Sequence, residues 1–159
     1  LETDEFVLSA IPTPGHASNH LCYLHANTNW LFTGDHVIDG STVVINPPDG
    51  NMSHYIESLR RVKALQCAAL VPGHGKVIND PDRIIDWIID HRLDRELTVL
   101  DALSANPNLT TGELVPYVYQ DGDKTWYGVA ERALLAHLLN WEKDGAAGRA
   151  DELWVVRQP

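Results

Sequence analysis

The first 75 residues contain several short apolar runs, most of which end at a turn containing glycine, proline or both. Runs of four to six residues that are rich in β-branched and aromatic side chains predict strands, because a buried helix needs a longer apolar pattern. Five strands are predicted, over residues 6–11, 21–26, 30–33, 42–45 and 68–71. The first part of the chain is therefore predicted to form a β-sheet.

A helical period interrupts these strands. Apolar residues recur every three or four positions from Met52 to Leu65, with basic residues between them, which predicts an amphipathic helix. Because this helix lies between the fourth and fifth strands, the order indicates an α/β layer. A second, longer helix is predicted to begin at Asp80-Pro81 and to end near Ser104.

The remainder of the chain has a different organisation. A short helical pattern at 113–119 and a longer amphipathic one at 126–143 precede a β run at 153–156, and this order of helices and hairpin is that of a winged-helix module. We predict a first domain over 1–95 and a second, winged-helix-like α+β domain over 96–159. Four tryptophans are expected in the core: Trp87, Trp126, Trp141 and Trp154.

Composition excludes several classes of protein. Twelve Lys and Arg residues stand against 22 Asp and Glu residues, so a formal net charge of −10 argues against a whole-chain attraction to nucleic acid or anionic membranes. The apolar runs are too short to span a bilayer, and the first residues lack the pattern of a secretory signal. Cys22 and Cys67 have no metal-type spacing, so we expect a reduced, cytoplasmic protein.

Three side chains of the metal-ligand type each follow a turn at the end of a predicted strand. These are His16, Asp35 and His74, and each has a neighbouring glycine. Imidazole and carboxylate groups are ligands that zinc, manganese and iron use in hydrolytic sites, and ligands collect at the carboxyl edge of α/β sheets. The residues alone leave open whether the three form a metal site or are ordinary turn residues.

The motifs around these residues resemble those of a known family. Thr-Pro-Gly-His at 13–16, Thr-Gly-Asp at 33–35 and Pro-Gly-His-Gly at 72–75 are similar to the third, fourth and fifth motifs of the metallo-β-lactamase superfamily. The His-Arg pair at 91–92, the Arg-Glu pair at 95–96 and the tail resemble the β-lactamase-like protein 2 branch. The resemblance implies the C-terminal half of an αβ/βα sandwich, followed by a winged-helix-like tail.

The resemblance also implies a binuclear hydrolase. By its pattern His16 binds the first metal, His74 binds the second, and Asp35 bridges both. Two zinc ions are expected in the complete site, with manganese or iron as alternatives, and a metal-activated water is the nucleophile. No catalytic residue beyond the metal ligands is predicted in this chain.

The superfamily signature His-x-His-x-Asp-His appears nowhere in the chain. That signature belongs to the N-terminal half of the fold and carries four of the seven ligands. The remaining residues give each metal at most two protein ligands, whereas a catalytic zinc normally has three. The sequence therefore predicts a fragment that is inactive by itself and whose sheet lacks its partner. The partner is either the missing N-terminal half or a second copy of the chain.

Other histidines are assigned by position. His20 is predicted to support a ligand rather than to bind metal, and His91 is a candidate for a structural pair or a substrate contact. His36 is expected to point away from the site if the strand before it continues. His25, His54 and His137 are expected to be surface or packing residues.

Two classes of function follow. The first is a hydrolase of an ester, a thioester such as an S-acyl glutathione, a lactone or an RNA phosphodiester. The second is a non-catalytic winged-helix binding module on a degenerate hydrolase half. The helix over 126–143 carries Arg132 and Lys143 against Glu131 and Glu142, a poor set for phosphate contacts, so DNA is not the expected partner.

Overall fold

A computed structural model describes residues 1–120 and 123–157 of the chain. The fold divides into two compact units. Unit 1 contains Leu1–Val43 and Asp49–Asp90, and unit 2 contains Val44–Pro48 and His91–Pro159. No helix of the described residues is long and apolar enough to cross a membrane.

Unit 1 is organised around a four-stranded sheet in the order β1-β2-β3-β4. Its strands are β1 (Leu8–Pro12), β2 (Leu21–His25), β3 (Trp30–Gly34) and β4 (Ala69–Pro72). The first three form an antiparallel meander, and β4 pairs with β3 in parallel. Parallel strands need a crossover, which α1 (Met52–Ala64) supplies. Four of the five predicted strands are therefore present, with small shifts at their ends.

The strand predicted over 42–45 is not formed. This segment has irregular backbone, yet Val43 and Ile45 are buried, at 7% and 0% exposure. The two side chains are buried although the segment pairs with no neighbouring strand among the described residues. The same alternation of apolar residues is found in half-buried strands, so the sequence pattern predicted a strand here.

Helix α1 begins at a side-chain cap. The Asn51 side chain accepts a hydrogen bond from the His54 backbone N–H, and Arg61 and Lys63 lie in the last turn, where cations interact favourably with the helix dipole. The buried face of the helix carries six residues: Met52, Tyr55, Ile56, Ser58, Leu59 and Val62. The apolar residues that recur every three or four positions in the sequence thus lie together on the buried face of α1.

The two faces of the sheet differ in exposure. Cys22 on β2 and Leu31 on β3 are fully buried. On the opposite face, four large side chains at alternating positions of β2 and β3 are 41–43% exposed: Leu21, Tyr23, Trp30 and Phe32. Tyr23 is paired directly with Phe32 in the register, so the four side chains form one apolar patch. We call these four residues the open sheet face.

Unit 2 is mainly helical. It contains the part of α2 (Pro81–Ala105) that follows Asp90, α3 (Thr111–Val118), a 3-10 turn over Lys124–Trp126, and α4 (Tyr127–Lys143). An antiparallel hairpin of β5 (Ala147–Ala150) and β6 (Leu153–Val156) completes it. The core of the unit is apolar and includes Val99, Leu103, Leu114, Val115, Leu134, Leu138 and Trp154.

The start of α3 carries the capping box that its sequence indicates. Thr110 Oγ1 accepts from the Glu113 backbone N–H, and the Glu113 carboxylate accepts from the Thr110 N–H at 2.9 Å. Both hydrogen bonds satisfy amides that have no partner within a helix, so the two side chains fix the point where α3 begins.

The prediction that all four tryptophans are core residues is wrong for two of them. Trp154 is 1% exposed, and the half-buried Trp141 donates its indole N–H to the Glu96 carbonyl. Trp87 and Trp126, however, are 45% and 67% exposed. Trp87 lies between the buried positions Ile85 and Ile88, off their face of α2, and Trp126 lies in the 3-10 turn, which has no buried residue.

Candidate metal centre

The three predicted ligands lie at one edge of the sheet. Strands β1 and β3 both run antiparallel to β2, and β4 runs parallel to β3, so β1, β3 and β4 share one direction. Their carboxyl ends therefore meet at the same edge. His16, Asp35 and His74 each follow one of these ends within a few residues, so the topology brings the three ligand turns together.

Asp35 and His74 are in direct contact. The distance from His74 Nε2 to Asp35 Oδ1 is 3.5 Å, and both side chains remain accessible to solvent. The Gly73 N–H donates to the Gly34 carbonyl at 2.8 Å, which joins the two turns. A Cβ at Gly73 would lie 3.2 Å from Asp35 Oδ1. Glycine at this position therefore leaves the space in which the carboxylate and the imidazole approach each other.

His20 lies between the ligand turns. Its Nδ1 is 2.8 Å from Thr13 Oγ1, and its ring centroid is 6.5 Å from that of His16. Burial lowers the pKa of His20, His16 lowers it further, and Asp35 opposes the shift. The Thr13 contact fixes the orientation of the imidazole, which suits the supporting role predicted from the sequence.

His36 is inside the protein rather than on the opposite side of a continuing strand. Strand β3 ends at Gly34, whose φ of 51° breaks the alternation on which that expectation depended. The His36 ring is 0% exposed and lies 5.8 Å from the His20 ring. Burial, followed by the nearby His20 and His16, lowers the pKa of His36 to about 3.

This depressed pKa predicts that acid destabilises unit 1. The unfolded His36 binds a proton below a pKa of about 6.5, whereas the folded one remains neutral down to about pH 3, so stability falls as the pH decreases. We expect a loss of about 1.4 kcal/mol per pH unit in that window from this residue alone. Urea midpoints of the metal-free chain between pH 7 and 4.5 measure it. H36L should flatten the slope, whereas an unchanged slope would contradict the expectation, and H54Q is the matched control at an exposed histidine.

Sequence reasoning missed the residues that hold the ligand turns in place. Asp39 accepts from the Lys76 N–H through Oδ2 at 3.2 Å, and its own N–H donates to the His74 carbonyl. Thr33 Oγ1 donates to the Val37 carbonyl at 2.8 Å. Only the three-dimensional contacts show that Asp39 joins the segment after Asp35 to the turn of His74, and that Thr33 closes the turn that contains Asp35.

His91 lies on α2 in unit 2 and is half-buried. Burial lowers the pKa of His91, and the nearby Arg92 and Arg95 lower it further. In the same unit the fully buried His137 lies 3.6 Å from Glu96 Oε1, and Asn140 donates to that same oxygen at 2.8 Å. The role of His91 at the site stays a prediction, whereas the packing role expected for His137 agrees with its burial.

The donor set fits part of a metal site. Asp35 and His74 form a carboxylate–imidazole pair at the sheet edge, with His16 on the neighbouring turn. Among residues 1–120 and 123–157, no group of three or more His, Cys, Asp or Glu side chains is placed to hold an ion. The imidazole and carboxylate groups of His16, Asp35 and His74 are donors of the kinds that zinc and iron accept.

Comparison with known proteins identifies the two parts. The metallo-β-lactamase superfamily description matches residues 3–74, and the description of the β-lactamase-associated winged helix domain matches residues 110–154. The chain carries a metallo-β-lactamase superfamily domain followed by a β-lactamase-associated winged helix domain. The predicted family and fold class are confirmed. The superfamily typically binds zinc or iron.

Individual relatives agree with this assignment. The β-lactamase-like protein 2 homolog of Drosophila melanogaster is 31% identical over 154 residues, which cover 94% of this chain and 51% of that protein. The atrochrysone carboxyl ACP thioesterase of Aspergillus fumigatus is 32% identical over 121 residues, covering 69% of this chain and 37% of that protein.

A solved structure supports the fold. A metallo-β-lactamase family protein from Thermus thermophilus superposes with a TM-score of 0.86 at 23% identity, over 99% of this chain and 52% of that one. The metallo-β-lactamase–winged-helix chain thus spans about half the length of the relatives that it matches.

Proposed function

We propose that the chain is the C-terminal half of a metal-dependent hydrolase and that it supplies three ligands of a binuclear centre. The observation that carries the proposal is the meeting of three strand ends at one sheet edge, where Asp35 contacts His74 at 3.5 Å. His16 would bind one ion, His74 the other, and Asp35 both. Zinc suits this set of donors, and iron or manganese also fits it.

Metal ions at such a centre lower the pKa of a bound water and polarise the scissile bond. The residues of this chain then have simple roles. The Asp35 carboxylate offers two oxygens on an accessible side chain, Gly73 leaves room beside it, and Thr13 orients His20 next to the ligand turns. No serine or cysteine nucleophile is required. Cys22 is also unsuited to act as a nucleophile, because burial raises the pKa of its thiol to about 11.

A thioester is the substrate class that the comparisons favour. One relative, at 32% identity, is named an atrochrysone carboxyl ACP thioesterase. The resemblance noted in the sequence equally includes esters, lactones and RNA phosphodiesters, but the net charge of −10 disfavours a long polyanionic substrate. The cytoplasmic location expected from the cysteine content stays a prediction.

The same proposal includes inactivity of the chain by itself. Even with Asp35 shared between both ions, the three side chains give each ion at most two protein ligands, fewer than the usual three. The remaining ligands must therefore come from another segment. We propose that this segment is the other half of the fold, because the chain spans about half of its relatives. Thioester turnover by the isolated chain, if abolished by Asp35→Ala, would contradict the inactivity while supporting the metal site.

Metal binding by substituted chains tests the ligand roles. Asp35→Ala should remove most metal binding, because its carboxylate is shared between both ions. His20→Ala should weaken binding about 10–100-fold, the range typical of residues that orient a ligand. Competition with a chromophoric chelator for Zn²⁺ measures both in the protein reconstituted from this chain and the other half of the fold. Equal losses from the two substitutions would overturn this assignment of roles, and H54Q serves as the histidine control.

A further inference from the structure

We propose that Tyr55 on α1 is a positioning residue that sets the spacing between the turn of His16 and the turn of Asp35. The proposal rests on the metal-site function above and adds a residue that neither the motifs nor the comparisons assign. Tyr55 is 0% exposed and has contacts with both turns, although it belongs to neither.

The first contact is with the turn of His16. A Cβ on Gly15 would overlap the Tyr55 Cα, so the helix backbone rests directly against this glycine. Two hydrogen bonds join the same surfaces. The Asn51 N–H donates to the Gly15 carbonyl at 2.8 Å, and Ser58 Oγ donates to the Pro14 carbonyl at 2.8 Å. One side of α1 therefore fixes the backbone on which His16 is mounted.

The second contact is with the turn of Asp35. The Tyr55 hydroxyl donates to the His36 carbonyl at 2.9 Å, and the two rings meet edge to face with centroids 5.2 Å apart. The His36 N–H donates to the Thr33 carbonyl at 2.9 Å. Both backbone groups of His36 are therefore held in place: its N–H is bonded to β3, and its carbonyl is bonded to α1.

These contacts make one residue the spacer between two ligands. The backbone of Tyr55 meets the residue before His16, and its hydroxyl meets the residue after Asp35. Removing the hydroxyl leaves the ring packing intact but takes away the donor of the buried His36 carbonyl, so the turn of Asp35 gains freedom to move. Ligands that bind a common ion must keep their relative positions closely, so a small shift weakens the centre.

Cobalt binding to the chain completed by the other half of the fold tests the proposal, because Co²⁺ replaces zinc and its visible spectrum reports ligand geometry. We expect Tyr55→Phe to weaken Co²⁺ binding about 10-fold or more and to change the visible absorption bands at saturation. Ser58→Ala, which frees the Pro14 carbonyl, should weaken binding in the same direction. Tyr117→Phe, on the exposed surface of α3, is the matched control and should leave affinity and spectrum unchanged.

A packing role and a positioning role give different results. If Tyr55 only fills space, Tyr55→Phe and Ser58→Ala lower the unfolding midpoint but keep the Co²⁺ affinity and spectrum, which would overturn the proposal. If Tyr55→Phe fails to fold, Ser58→Ala alone decides by the same readout. Failure of the metal-site function is separate: the wild-type chain completed by the other half of the fold would bind no Co²⁺, or its Asp35→Ala variant would bind Co²⁺ equally well.

Discussion

Gly15→Ala should strongly destabilise unit 1. The added Cβ would overlap three atoms of Tyr55, two of them in the helix backbone, where no side-chain rotation relieves the clash. The φ of 143° at Gly15 is also one that L-residues rarely adopt. Overpacking and backbone strain each contribute about 1–3 kcal/mol, and together they remove much of the stability of a typical domain.

Circular dichroism during thermal unfolding measures the effect, and Gly128→Ala provides the control. Gly128 lies in α4 with nothing within 4 Å of its added Cβ. Alanine there should stabilise the helix by up to about 1 kcal/mol, because it has the higher helix propensity. A Gly15→Ala chain that unfolds at the wild-type temperature would show that α1 does not rest on the turn of His16.

The ligand turns were predictable from the sequence because each one is local. A short apolar run, a glycine and a ligand-type side chain stand together in the chain, and the topology then needed only three strands to end at one edge. The predictions for His16, Asp35 and His74 rested on this pattern and on the family resemblance. The structure adds the contact between Asp35 and His74 at 3.5 Å.

The residues that support the ligands were not predictable in the same way. Tyr55 has the sequence pattern of an ordinary core residue on an amphipathic helix, and its hydroxyl partner, the His36 carbonyl, is 19 residues away. The irregular segment at 42–45 and the exposed Trp87 have the same cause. A pattern of apolar residues reports burial, but it does not report which neighbour provides the burial or where a face ends.

The open sheet face leads to the second large effect, on the state of association. Full burial of a large apolar side chain contributes about 1.5–3 kcal/mol, and Leu21, Tyr23, Trp30 and Phe32 are each 41–43% exposed. Covering all four therefore contributes on the order of 4 kcal/mol. Contiguous apolar patches of this kind mark interaction surfaces. Because the chain spans about half of its relatives, we propose that the other half of the fold covers this face.

Without that half, the isolated chain should self-associate at micromolar concentration or bind a hydrophobic dye. Sedimentation with a mass determination for every species, together with dye fluorescence, measures both. A double variant, Tyr23→Lys with Phe32→Glu, places charges on two directly paired positions and should give a 17.7 kDa monomer that binds little dye. Trp126→Glu, at a 67% exposed position in unit 2, should change neither result. A wild-type chain that is a dye-free monomer and unfolds cooperatively would show that this face needs no partner.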